Sequence, residues 1–591
     1  MVHYIRYGLL VIFILLHSSE SFSQSANPLK SKNTNKEILV NLPFGSPVDI
    51  PLYLSGTFGE LRSNHFHSGI DIKTQGVEGK IIKAIDDGWV SRIKISTSGY
   101  GKAIYITHPN GYVSVYGHLQ RFSDSIQKLV ISEQYLKESF TLQIFPEKEQ
   151  INVKKGDTIA FSGNTGGSNG PHLHFEIREE LSQYPVNPLL CKSLKIKDYY
   201  RPKITELAIY PVDENSLING IHDTAYYEIE GWGMEHRIKG NPKITLSGRI
   251  SFGIGTYDLM NDVPNKNGVY STRFYYDTTL VFDLNMSKLS FNTSRYINSL
   301  IDYSFFVKSE NRVIRTEVDT NNMLNNYLTI LNNGIIDFTD SLTHNMVFEV
   351  QDIYKNKSKL SFKVTGSSKL SKTDSAKNVN IPTGSFFDFA KKNKIVNDKI
   401  KVDFPANCFY RSYYFDFAEV ERDSNSYSST FKLHNRFTPV HKYFKISMVT
   451  DSVDEELRDN LYISYSPDNE EFFYISTIAD DKYLIGRSRD LGYYKVSMDT
   501  TPPIITEVNF HNAKKIGKQD NLKIEIRDEE TGILTYQASL NDRWILMEYD
   551  PKKELLVYNF DQMLQKGENE FKLVVTDMLD NVSEYSCVLI Y

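Results

Sequence analysis

The stretch Gly163-Asn-Thr-Gly-Gly-Ser-Asn-Gly-Pro-His172-Leu-His174-Phe-Glu176 decides how the chain is read. A glycine-rich turn runs into a short alternating segment. Side chains in a strand alternate faces, so His172 and His174 share one face while Leu173 and Phe175 anchor the other in a core. Two imidazoles on a strand held from behind make a rigid candidate metal site. Alone, such a pair is equally the mark of surface histidines on an edge strand, so the upstream sequence carries the decision.

Outward from that stretch, residues 39–200 read as short strands broken by Gly, Asn and Pro turns, a compact and mostly β domain. Lys102-Ala-Ile-Tyr-Ile-Thr107 and Tyr112-Val-Ser-Val-Tyr-Gly117 are joined through Asn110-Gly111. That dipeptide predicts a hairpin with positive φ at both positions, and the hairpin sets His118 at the end of its second strand. A helix is expected over Ser123 to Tyr135, capped by Ser or Asp. Val153-Lys-Lys-Gly-Asp157 turns into the apolar strand that delivers the chain to Gly163.

The rest is rich in strands, as 38 Tyr and 34 Phe favour. Val350-Gln-Asp352-Ile-Tyr-Lys-Asn356-Lys-Ser358 and Val575-Thr-Asp577-Met-Leu-Asp-Asn581-Val-Ser583 repeat one pattern before a short alternating strand, which points to repeated modules. Ig-like β-sandwich domains are expected at 201–366 and 500–591. A further β-rich domain is placed at 381–499, after a linker at 367–380. The joint at Asp499-Thr-Thr-Pro-Pro503 is stiff. The fold class is thus mainly β: an open antiparallel sheet domain followed by sandwiches.

At the N-terminus, His3 and Arg6 precede the apolar run Gly8–Leu16 and then Ser21-Phe-Ser23, the layout of a cleavable secretory signal over 1–23. The apolar run is too short to span a bilayer, which takes about 20 residues. A flexible lead-in follows at 24–38. The protein is therefore expected to be exported, with no transmembrane span after signal cleavage. Its net charge of −6 carries no basic footprint for nucleic acid. Three scattered cysteines, Cys191, Cys408 and Cys587, make no disulfide framework and no zinc-finger spacing.

Three clusters carry chemistry. In Asn64-His-Phe-His67-Ser-Gly69-Ile-Asp71-Ile72, read as a strand, positions 67, 69 and 71 share a face, with Gly69 leaving room for an ion. The second cluster is Tyr116-Gly-His118-Leu119, and the third is His172-Leu-His174. A catalytic zinc site wants three ligands from His, Asp and Glu and one open position. His67, Asp71 and one of His172 or His174 supply that set, leaving two histidines beside the open position. His65 competes with His67 on spacing alone. Both His65 and His108 are read as structural.

His-x-Gly-x-Asp, Tyr-Gly-His-Leu and Gly-Asn-Thr-Gly-Gly-Ser-x-Gly-Pro-His-Leu-His-Phe-Glu, in that order, resemble the lysostaphin/LytM-type zinc metallopeptidases over about residues 50–190. The resemblance implies an open-groove antiparallel sheet of the duplicated-hybrid-motif type and a Zn2+ cofactor. By position it makes His67, Asp71 and His174 the metal ligands and His118 and His172 the catalytic pair. It implies an endopeptidase acting on peptide stems or cross-links of peptidoglycan; a non-catalytic wall-binding protein or regulator of another wall hydrolase is the alternative. Chains joining such a domain to sandwich modules resemble exported proteins of the Bacteroidetes type. That places this chain in the periplasm or cell envelope, the outer surface included, with envelope proteins as possible partners of the sandwiches. One departure is the stretch of some 30 residues between Leu119 and Val153, which is shorter in the simplest members and is expected to wall the groove.

Overall fold

The computed structural model describes residues 41–367, 384–421, 426–450 and 453–591. The expected signal peptide, the lead-in and all but the first residue of the 367–380 linker lie outside the described residues.

The hairpin Lys102–Thr107/Tyr112–Gly117 forms antiparallel, with Ile104 opposite Tyr116. Its turn differs from the expected one. His108 to Gly111 make a four-residue turn closed by Gly111 N–H donating to the His108 carbonyl at 3.2 Å. Only Gly111 has positive φ, +81°. Pro109 fixes the φ that a turn's second position wants, so Asn110 has no need of the left-handed region.

This hairpin lies within a nine-stranded sheet. The order across its main path is Leu54–Gly56, Ile70–Lys73, His172–Glu179, Tyr112–Gly117, Lys102–Thr107, Gly88–Ile95, Leu142–Ile144. The strand His172–Glu179 is central, flanked by Ile70–Lys73 on one side and Tyr112–Gly117 on the other. Leu173, Phe175 and Ile177 are buried behind it, as the alternation requires. Each such apolar side chain contributes about 1.5–3 kcal/mol on burial. The opposite face carries His172, His174, Glu176 and Arg178. Leu119–Phe122, Thr158–Ser162 and Ile81–Lys83 form a small second sheet beside this one.

The long insertion contains the helix Asp124–Lys137, with Ser123 at the cap position but no side-chain cap bond. It does not stand free at the groove. Tyr135 packs edge-on against Trp544 of the last domain, ring centroids 5.2 Å apart, and its hydroxyl bonds Asp561.

Beyond residue 200, strands of 203–366 connect into a thirteen-stranded sheet through the 15-residue strand Thr245–Leu259. Residues 384–499 contain two five-stranded antiparallel sheets, and residues 504–590 a four-stranded and a five-stranded sheet. One buried apolar cluster includes Phe175 and Leu173 together with Ile204, Phe252 and Phe274, bridged by Leu190, Leu194 and Ile196. The first two regions therefore share a core. Cys191, Cys408 and Cys587 are free and buried.

Candidate active site

His174 sits opposite Asp71 on one neighbouring strand and opposite Gly117 on the other. His67 arrives differently from the expectation. The strand begins only at Ile70, so His67 lies in the preceding connection rather than on a shared strand face. Its backbone is held by Gly59 and Glu60, each through a hydrogen bond of 2.9 Å. The reading of Gly69 also needs correction. A Cβ there would lie 2.4 Å from the Phe175 carbonyl oxygen and 2.8 Å from Glu176 Cγ. The glycine permits close approach of the central strand; it does not make room for an ion.

His67 Nε2, Asp71 Oδ1 and His174 Nδ1 converge in a triangle with edges of 3.1, 2.9 and 3.1 Å. Ligands about 2.0–2.1 Å from a tetrahedral zinc stand roughly 3.3 Å apart, close to these edges. The bonds on the far side of each ring assign the protons. His67 Nδ1 donates to the Thr57 carbonyl at 2.8 Å, and His174 Nε2 donates to Glu176 Oε1 at 2.9 Å. In these neutral tautomers both facing nitrogens are bare lone pairs, and they point at a carboxylate oxygen. Three acceptors meeting at such distances could hold a metal cation. Asp71 Oδ2 is taken by Arg62 Nη2 at 2.6 Å, which leaves Oδ1 as its single free ligand atom.

The outer partners are as ordered as the inner ones. Glu176 is fully buried and accepts from Ser68 Oγ at 2.6 Å, Tyr100 OH at 2.5 Å and Arg178 Nε at 2.5 Å, besides His174. Burial would push its carboxyl up, but Arg178 and His174 hold it well below the usual carboxylate range. The Tyr100 ring stacks on His174 with centroids 4.8 Å apart. Burial disfavours a cation on His174, yet Asp71 and Glu176 outweigh it and raise that imidazole to about 9.

His118 and His172 stand beside this triangle, ring centroids 4.7 Å apart. His118 Nδ1 donates to the Thr165 carbonyl at 2.8 Å, and His172 Nδ1 to the Gly170 carbonyl at 2.8 Å. Each ring therefore presents Nε2 as its free nitrogen. His172 Nε2 lies 3.5 Å from Asp71 Oδ1. His118 ends its strand at φ +58°, a left-handed conformation that costs a non-glycine residue about 1–2 kcal/mol. Such strain concentrates at functional positions. Burial, with His174 and His172 adding to it, pushes the His118 imidazole down to about 3, so the ring is neutral.

His65 is exposed and bonds the Ser63 carbonyl, and His108 is buried between the Asp87 carbonyl and Ser114 Oγ. Neither joins the site. Sequence reasoning missed Thr57, Arg62, Ser68, Tyr100 and Arg178. Only Arg178 carried a signal, two residues past Glu176 on the same strand face. Thr57, Ser68 and Tyr100 come from connections and Arg62 from the two-residue strand Leu61–Arg62, whose placement no periodicity encodes.

Residues 65–188 match the family described as Peptidase family M23, and residues 384–499 match Zu5-like domain. The DD-carboxypeptidase/endopeptidase Mpg of Neisseria meningitidis is 34% identical over 129 residues, 22% of this chain and 23% of that protein. The murein hydrolase activator NlpD of Escherichia coli is 35% identical over 133 residues, 22% of this chain and 27% of its own. The chain thus spans about a quarter of the length of these curated relatives. Among solved structures, a zinc-containing peptidase from Vibrio cholerae is 26% identical, covering 25% of this chain and 39% of that one at a TM-score of 0.19. The chain therefore carries a peptidase family M23 domain, followed by further β-sheet domains of which residues 384–499 are Zu5-like.

Proposed function

We propose that the protein is an exported zinc metalloendopeptidase that hydrolyses peptide bonds in bacterial peptidoglycan. The observation that carries this reading is the convergence of three lone-pair donors, from His67, Asp71 and His174, beside two histidines whose Nε2 atoms are free. Zinc held there would supply a Lewis acid for the scissile carbonyl and make nearby water acidic enough to deprotonate near neutral pH.

The chain's own groups do the rest. Of His118 and His172, one accepts the proton of the attacking water at Nε2. The other, once it carries a proton from solvent at Nε2, hydrogen-bonds the developing oxyanion or protonates the leaving amine. The carbonyls of Thr165 and Gly170 fix both tautomers, so neither ring must reorient before it acts. Thr57 and Glu176 do the same for the metal-facing rings, and Arg62 steers Asp71.

Export rests on the N-terminal layout of charge and apolar residues; among the described residues no helix is long and apolar enough to cross a membrane. A second reading, a non-catalytic activator of another wall hydrolase, is favoured by the likeness to NlpD.

Digestion of purified sacculi by the full mature chain, with mass spectrometry of the fragments, separates the two. Parallel samples carry chelator, restored zinc, or His174→Ala. Cleavage that chelator abolishes and zinc restores is expected. Binding without cleavage by folded, zinc-loaded protein would favour the activator. Equal cleavage by His174→Ala would remove that residue from the ligand set.

A further inference from the structure

A second group of converging acids lies outside the peptidase site, where the chain leaves that domain. Asp198 is in the connection that leads to the strand Lys203–Pro211, and Asp258 is near the end of Thr245–Leu259. Asp352 directly follows Thr343–Gln351. One carboxylate oxygen from each lies within 4.8 Å of the other two. All three are buried, with 5%, 4% and 2% of their surface exposed.

Their bonding is incomplete. Asp198 Oδ1 accepts from Tyr200 N–H at 3.0 Å, but Oδ2 has no partner. Asp258 Oδ1 is likewise buried without one. Asp352 accepts from Asn356 N–H at 2.8 Å and Asn356 Nδ2 at 2.6 Å. Among the described residues no Lys, Arg or His is paired with any of the three. Unpaired buried carboxylates cost several kcal/mol each, so a cluster of three is met by a counter-charge or by bound protons.

The surrounding frame occurs twice in the chain. Asn356 Nδ2 also donates to the Asp198 carbonyl at 3.3 Å, and Ser358 Oγ to the Pro202 carbonyl at 2.5 Å. At the last domain, Asn581 Nδ2 donates to the Asp499 carbonyl at 3.1 Å and to Asp577 Oδ2 at 2.7 Å. Ser583 Oγ donates to the Pro503 carbonyl at 2.5 Å. There Asp499, Asp528 and Asp577 form the corresponding cluster. Its bonding is different: Thr501 N–H and Thr531 Oγ1 occupy both oxygens of Asp499, and Leu579 and Asn581 those of Asp577. Only the first cluster holds buried oxygens without partners.

We propose that Asp198, Asp258 and Asp352 form a binding site for a calcium-type divalent cation, which locks the peptidase domain's exit segment to the sheet that follows it. The donor set is all oxygen, with neither imidazole nor thiolate, and suits a hard cation rather than zinc. Three carboxylates can supply three to six of the six to eight oxygens that calcium takes. The cation would tie together the connection at Asp198 and the ends of two strands, a junction already stapled by Asn356 and Ser358.

The test uses the full mature chain, saturated with zinc and stripped of other metals, titrated calorimetrically with CaCl2 and separately with MgCl2 at pH 7.5. Calcium is expected to bind and to raise Tm. Asp258→Asn should bind one calcium fewer, or weaken that event at least about 10-fold, while Asp528→Asn keeps it. Asp198→Asn serves as a second variant should Asp258→Asn not fold. Unchanged calcium stoichiometry and affinity in the variants would overturn the proposal. So would preference for magnesium, or a wild-type Tm that calcium does not move; the last result would mean that the cluster meets its charge by protonation.

Discussion

Replacing Glu176 by glutamine removes a charge at nearly constant volume from the centre of the site, and the structure separates its consequences. The first concerns His174. Its Nε2–H donates to Glu176 Oε1, which sets the tautomer and raises the basicity of Nδ1. Loss of such an outer carboxylate costs about 10–100-fold in metal affinity, or about 1.4–2.8 kcal/mol at about 1.4 kcal/mol per tenfold. The second concerns Arg178, whose side chain is 8% exposed and whose single ion pair among the described residues is with Glu176. Orphaning a buried charge destabilises by about 3–5 kcal/mol. Metal-free protein loses the ion pair with Arg178 and the charged partner of His174, whereas only zinc-loaded protein also feels the loss of metal affinity. Chemical denaturation with and without zinc measures the stability losses, and competition with a chromophoric chelator measures the affinity directly.

The double variant Glu176→Gln/Arg178→Met tells the effects apart. It removes the orphaned guanidinium, so most of the lost stability should return. Zinc affinity should stay 10–100-fold below wild type. Recovery of wild-type zinc affinity in the double variant would refute the reasoning, because Glu176 would then act on the metal only through the fold. Wild-type zinc affinity in Glu176→Gln itself would refute it more simply.

Other perturbations read other parts of the molecule. His118→Ala and His172→Ala should each lower kcat/KM by about 10²–10⁴-fold with zinc content unchanged; a variant that keeps the wild-type rate has lost no catalytic group. His441 stacks on Tyr296, centroids 4.2 Å apart, and burial, then Arg295, Lys442 and Arg489, push it down to about 4. Because its folded value is depressed, its contribution is complete above about 6.5 and is lost as pH falls through about 4. Amide protection at 408–411 should therefore fall between pH 7.5 and 4.5, and fall less in His441→Phe. An equal fall in both proteins rules His441 out as the cause. Lys552 Nζ donates to the carbonyls of Asn164 at 2.6 Å and Ser168 at 2.8 Å. Lys552→Ala should speed deuterium uptake across 163–171, and unchanged uptake would show that this contact does not restrain the turn.

Much of this site is written in local pattern. Period-two alternation puts His172, His174, Glu176 and Arg178 on one face and Leu173, Phe175 and Ile177 in the core, because the strand is paired on both edges and one face must be buried. Spacing brings Asp71 to the same place. Local pattern fails where backbone conformation is set from outside the segment. His67 reaches the triangle from a connection, so the assumption that 67, 69 and 71 share a strand face does not describe how His67 and Asp71 come together. Gly69 is required by the neighbouring strand's carbonyl, which lies more than a hundred positions away in sequence. Glu176 could be read as an exposed strand carboxylate because its partners Ser68, Tyr100 and Arg178 are assembled only by the tertiary fold.

The same distinction explains why the domains beyond residue 200 belong in any account of the site. Thr57 holds His67 and Arg62 holds Asp71, and both lie in the connection 55–67. The second region clamps that connection. Gly268 N–H donates to Thr57 Oγ1 at 3.1 Å, Phe66 N–H donates to Ser294 Oγ at 3.0 Å, and Asn298 Nδ2 donates to Asn64 Oδ1 at 2.7 Å. On the other side, Thr165 holds His118, and Ser168 lies 3.1 Å from His172 Nδ1. Their turn is the one gripped by Lys552 of the last domain. Lys102, whose backbone N–H donates to Thr165 Oγ1, is paired with Glu548 at 2.7 Å. The insertion 119–153 adds Tyr135 to that contact rather than standing as a free wall. His67 and Asp71 are thus braced by one downstream domain and the two flanking histidines by another. Placing a donor to within a fraction of an ångström takes packed, hydrogen-bonded support, and here two domains outside the peptidase domain contribute to it.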